Sequence, residues 1–211
     1  MNRAAELIVD KAPVPTSLKE LAADIGACRR CPLYLHATQG VPGEGTRRAR
    51  LMLVGEQPGN DEDLAGKPFI GPAGHVLDEA LEAAGIARKE TFVTNAVKHF
   101  KFEPRGKRRL HKRPNAYEIQ RCRWWLEREK DLVKPELTIA LGASAARSVF
   151  GKPVAVNASR GTVSDVENWG AVLVTIHPSF LLRIPDAKSR AREKALFVRD
   201  LGKAKAYLES L

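Results

Sequence analysis

Arg50-Leu-Met-Leu-Val-Gly55 and Leu137-Thr-Ile-Ala-Leu-Gly142 decide the fold, because each is a short apolar run that stops on glycine. A half-exposed strand would alternate with polar residues and a helix would need ten or more positions, so these runs read as strands buried on both faces. Thr91-Phe-Val-Thr-Asn95 and Ala171-Val-Leu-Val-Thr-Ile-His177 follow the same design. Between them lie helical patterns at 73–84 behind Pro72, at 116–132, at 143–150 and, strongly charged, at 187–208. Strand and helix in alternation predict a three-layer α/β/α fold around a central, mainly parallel, four-stranded sheet.

Outward from these runs, Ser17 and Glu20 form a capping-box pattern ahead of Leu18, Leu21 and Ile25, which predicts a short helix delivering Cys28 at its far end. The stretch 100–114 fits neither template and is read as a long, irregular basic loop carrying Lys101, Arg105, Lys107, Arg108, Arg109, Lys112 and Arg113. No repeat or linker divides the chain, so 1–211 is expected to be one domain, with 1–16 as a flexible N-terminal segment.

Lys and Arg outnumber Asp and Glu by 35 to 25, a net charge of +10 that favours a polyanionic partner, nucleic acid ahead of an anionic membrane surface. Solubility alone is the competing explanation of such a charge. Asp10, Lys11, Pro13 and Pro15 interrupt any leader-like apolar run and no later run approaches a membrane-spanning length, so a cytoplasmic location is expected. Three cysteines cannot all pair with one another, and in a reducing compartment Cys28-Arg-Arg-Cys31 points to metal ligation or redox chemistry.

Ligands of an open parallel sheet bind at the carboxyl ends of its strands, so the residues just past each run carry the candidate chemistry. They are Gly55-Glu56-Gln57-Pro58-Gly59, Asn95, Gly142-Ala143-Ser144 and His177-Pro178-Ser179: a carboxylate, two amides and an imidazole at one mouth. Any one of them is equally a helix cap or turn former, and only their convergence argues for a site.

Together with Cys28-x-x-Cys31-Pro32, Gly66-Lys-Pro-Phe69-Ile-Gly71-Pro-Ala-Gly74, Thr94-Asn95-Ala-Val-Lys-His99 and Cys122, these motifs resemble the uracil-DNA glycosylase superfamily, specifically its family 4 and the related X type, from about Leu18 to Leu208. Gln57 and the insert Lys107-Arg108-Arg109-Leu110-His111 resemble the X type, with Leu110 in place of an expected Ile.

The resemblance implies a monomeric enzyme acting on uracil-containing DNA, preferentially single-stranded, and a [4Fe-4S] cluster held by Cys28, Cys31, Cys122 and, in place of a fourth cysteine, His99. A structural Cys3His zinc site fits the same residues, and with the basic charge it leaves open a non-catalytic zinc-dependent nucleic-acid-binding module. In the pocket, Phe69 is implied to stack on an extrahelical base and Asn95 to read uracil N3–H and O4. His177 is implied to stabilise charge on the departing base, with Gly55 and Gln57 lining the pocket. Ser179, Lys107, Arg108 and Arg109 are expected to meet DNA, with Phe180 or Leu181 as candidates for a wedge. His111 is the implied nucleophile that bonds to C1′ of the deoxyribose, its ring oriented by Glu56. An ordinary turnover glycosylase of family 4, in which Glu56 assists water, is the alternative.

Overall fold

The computed structural model describes residues 14–211, so most of the segment expected to be flexible lies outside the described residues. Of its end, Thr16 is tied down: its backbone N–H and hydroxyl both donate to the Glu20 carboxylate, at 2.8 and 2.9 Å. Ser17 caps helix α1 (Leu18–Gly26) by accepting from Glu20 N–H at 3.2 Å. Glu20 thus reaches back one residue further than the expected capping box would have it.

The four expected strands form the parallel centre of the sheet: β2 (Leu51–Gly55), β3 (Thr91–Asn95), β6 (Leu137–Leu141) and β8 (Gly170–Thr175). The sheet is wider than expected. Antiparallel edge strands β1 (Glu44–Gly45) and β7 (Val163–Val166) extend it to six in the order β1-β3-β2-β6-β8-β7. Both added strands are short and partly or wholly exposed, so neither carries the apolar run that marks a buried strand.

Side chains on successive strand positions leave opposite faces. Leu51, Leu53, Leu137, Ile139 and Leu173 therefore pack with Leu77 and Leu81 of α3 (Pro72–Ala83) and with Phe197 and Leu201 of the last helix (Ala187–Glu209). Met52, Val54, Ala140, Val172 and Val174 pack on the other face with Leu126 of α4 (Ala116–Val133) and Ala145, Ala146 and Val149 of α5 (Ala143–Phe150). Each buried leucine contributes about 2 kcal/mol, so both helical layers are anchored by the alternation within the strands. A third cluster joins Leu21 and Ile25 of α1 to Ile119 and Trp125 of α4 around the three cysteines.

The region 100–114 corrects the expectation of an irregular loop. Strands β4 (Phe102–Arg105) and β5 (Arg108–His111) pair as an antiparallel hairpin, joined by Gly106 and Lys107. Gly106 has φ +59°, the conformation a type II′ turn needs at its first central position. Pro104 within the first strand and seven Lys and Arg residues in the segment masked that pattern.

Candidate active site

The chain runs from β2 to β3 on one side and then crosses to β6 on the other, which makes the carboxyl ends of β2 and β6 a topological switch point. A cleft of about 890 Å³ opens there, and among its lining residues are Glu56, Phe69, Asn95, His111, Ser179 and Arg183.

Its floor requires glycine at position 55. A methyl group there would stand 2.4 Å from both Asn95 Oδ1 and Phe69 Cζ, so these two side chains close over bare backbone. Asn95 is 3% exposed. Phe69 has φ +55°, a left-handed conformation that costs an aromatic residue on the order of 1–3 kcal/mol and is retained where the surroundings fix it. Part of that fixing comes from Glu62 of α2 (Asn60–Ala65), whose buried carboxylate accepts from Gly59 N–H at 3.0 Å and Gly71 N–H at 2.9 Å. Glu62 was missed in the sequence, although its place three residues after Gly59 is the third position of a helix start.

His177 follows β8, its ring 6.0 Å from that of Phe69. Burial pushes its pKa down to about 4, and the charges of Arg183 and His111 act in the same direction, so the ring is neutral at pH 7. Nδ1 accepts from Ser179 N–H at 3.2 Å and contacts Ser179 Oγ at 2.8 Å. That network assigns the remaining proton to Nε2. Ser179, expected to meet a phosphate, is thus occupied with His177 and also accepts from Arg183 Nη1 at 2.8 Å.

Glu56 stands where β2 leaves the sheet, its side chain 21% exposed. Oε1 is 3.4 Å from His111 Nε2, while Oε2 accepts from the Ser144 hydroxyl at 2.5 Å. Arg113 Nε reaches Ser144 Oγ at 3.3 Å and Glu56 Oε2 at 3.8 Å. The fold therefore brings the candidate nucleophile and its orienting carboxylate together, on the lip of the cleft that holds Asn95 and His177.

Two residues have partners beyond those expected. Gln57 lines the cleft as expected, and its side-chain amide also braces the hairpin: Nε2 donates to the carbonyls of Lys101 and Lys112 at 3.1 and 3.0 Å, and Oε1 accepts from Lys101 N–H at 3.2 Å. Arg109 was expected to meet DNA but folds inward. It lies over the rings of Phe100 and Phe102 and donates to fully buried Asp63 at 2.6 Å and to Asn60 Oδ1 at 2.9 Å. A buried carboxylate needs such a cation, and Asp63 lies too far from Arg109 in sequence for the pair to be read there. Lys107 and Arg108 remain exposed at the turn.

On the far side of β3, Cys28, Cys31 and Cys122 are free and buried in one cluster. Their sulfurs meet donors: Trp125 Nε1–H to Cys28 Sγ and Lys98 N–H to Cys122 Sγ, each at 3.1 Å. Burial pushes the Cys122 thiol up to about 12 and raises Cys31 as well. His99 is 3% exposed, burial lowers its pKa, and its Nδ1 has no hydrogen-bond partner. Among the described residues no three His, Cys, Asp or Glu side chains converge as ligands of one ion would.

The profile of the uracil DNA glycosylase superfamily matches residues 42–202. A type-4 uracil-DNA glycosylase from Thermotoga maritima is 35% identical over 91% of this chain and 95% of its own length. Those from Archaeoglobus fulgidus and Pyrobaculum aerophilum are 34% and 36% identical over 82% and 80% of the chain, and over 86% of their own lengths. Fold, cleft and similarity agree that the chain belongs to the uracil DNA glycosylase superfamily, among its type-4 members.

Proposed function

We propose that this chain, acting as a single-domain monomer, excises uracil from DNA and prefers single strands, in which no base pair has to be broken before the base is extruded. The observation that carries the reading is the cleft floor: an amide, an aromatic face and a neutral imidazole gathered around a glycine whose missing side chain lets Asn95 and Phe69 close together. In this reading uracil stacks on Phe69 and pairs its N3–H and O4 with the Asn95 amide. The C1′–N1 electron pair leaves with the base, and Nε2–H of His177 donates to O2 as negative charge spreads there. Exposed Lys107 and Arg108 hold phosphates.

The positive C1′ then lies near Glu56 and His111. The ring nitrogen turned away from Glu56 supplies an electron pair and forms a C1′–N bond, while the carboxylate offsets the charge gained by the imidazole. A stable protein–DNA bond results. Hydrolysis is the second reading, favoured by similarity to the type-4 enzymes and by the His111 side chain being 50% exposed, which gives water access to the same carbon. A denaturing gel after incubation with a uracil-containing oligonucleotide tests both: a shifted band supports the bond, and free uracil without a band supports hydrolysis. Release of no uracil overturns the glycosylase reading.

For the cysteine face we propose a [4Fe-4S] cluster on Cys28, Cys31, Cys122 and His99. Three buried sulfurs, two of them accepting from N–H donors, and a buried ring nitrogen without a partner suit such a group, and a cube of irons takes ligands that stand further apart than those of one zinc ion. Bound there, it would link α1 to α4 and to the end of β3. Broad visible absorption with about four irons per chain supports this assignment. One zinc and no iron after anaerobic purification overturns it.

A further inference from the structure

We propose that Ser144 is a positioning residue for Glu56, dividing the work of that carboxylate between its two oxygens. The inference rests on the glycosylase reading above. Glu56 and Ser144 follow β2 and β6, neighbouring parallel strands, so they face each other across the switch point. The Glu56 backbone is already fixed, since its carbonyl accepts from Val97 N–H at 3.0 Å. Its side chain still has three rotatable bonds and reaches into a cleft, where a carboxylate left alone would sample several rotamers.

The Ser144 hydroxyl removes that freedom. It is 1% exposed and donates to Oε2 at 2.5 Å, which leaves Oε1 as the oxygen facing His111 Nε2 at 3.4 Å. Serine at the start of a helix is ordinarily explained as a cap. That explanation fails here, because the N-cap of α5 is Gly142 and no side chain caps this helix end. The hydroxyl serves the neighbouring strand's carboxylate instead. Arg113, whose Nε also donates to Ser144 Oγ, keeps the serine lone pair engaged and its proton directed at Glu56.

The test uses Ser144→Ala, Ser144→Thr and Glu56→Gln, singly and combined, on single-stranded uracil DNA under single-turnover conditions. Uracil release and formation of the gel-stable band are timed separately. With Ser144→Ala, the Glu56-dependent rate is expected to fall about tenfold at saturating enzyme while affinity for uracil-free DNA is unchanged, and Ser144→Thr restores it. In a Glu56→Gln background the alanine substitution is expected to change nothing further, because a residue acting through Glu56 has no effect once that carboxylate is gone. If wild-type protein releases uracil without forming a band, the covalent reading fails but this proposal is still tested on the release rate. Should Ser144→Ala lower stability, Ser144→Cys, a near-isosteric weak donor, is expected to give an intermediate rate. Equal rates for wild type and Ser144→Ala, or a full additional loss in the Glu56→Gln background, overturn the proposal.

Discussion

The cleft floor and the hairpin that borders it are held in different ways. Gly55, Asn95 and His177 lie at the ends of buried parallel strands, so the ladder and the two helical layers that stabilise the whole fold also fix the floor. The hairpin packs little of its own surface: most positions of β4 and β5 are exposed, and side chains from elsewhere hold it. Gln57 bridges both of its ends and Asp63 anchors Arg109. The floor is thus as rigid as the sheet, whereas the place of His111 depends on a few polar contacts that single substitutions remove. Base departure and capture of the sugar should therefore respond to different mutations.

The largest effect is expected at the floor. His177→Ala removes the donor proposed for the departing base and should slow uracil release on the order of 10²–10³-fold, read by alkaline cleavage of the abasic product in single-turnover reactions. Capture then falls only because less cation is formed. A loss below tenfold would show that His177 is a packing residue.

The hairpin gives the next effect. Gln57→Ala removes three hydrogen bonds at its base, and a misplaced His111 should trap the sugar about 10–100-fold less well, with release reduced much less. The measured quantity is the ratio of gel-stable complex to free uracil. An unchanged ratio would mean that the hairpin holds its place without the brace.

What the sequence disclosed follows the same division. Strands buried on both faces are built mostly of apolar residues, so β2, β3, β6 and β8 were legible, and with them the strand-end positions of Glu56, Asn95 and His177. The edge strands and the hairpin were not, because exposed pairs can be built from almost any residues and Pro104 argued against a strand. Gln57 and Arg109 were expected in binding roles that their chemistry permits. Their actual partners, Lys101, Lys112 and Asp63, are set by tertiary contacts that no local spacing encodes. Ser144 could be placed at a strand end, but its bond to Glu56 required knowing that β2 and β6 are neighbours.

A smaller effect concerns stability in acid. His177 has a folded pKa of about 4 against an ordinary 6.5, so the unfolded chain takes up this proton first as pH falls. The neutral histidine's contribution is complete above 6.5 and is lost progressively down to about 4, a change of about 1–3 kcal/mol. Thermal melts between pH 7 and pH 4.5 should show a steeper decline for the wild type than for His177→Asn. Parallel declines would mean that His177 is solvated rather than buried.

The most direct test of the division is His111→Ala on a uracil-containing single strand, with free uracil and the denaturation-resistant band quantified in the same samples. The band is expected to disappear while uracil release continues, water now reaching C1′ through the space the ring occupied. Persistence of the band would assign capture to another nucleophile, and loss of release together with the band would show that the hairpin takes part in base departure, contradicting the separation of floor and hairpin.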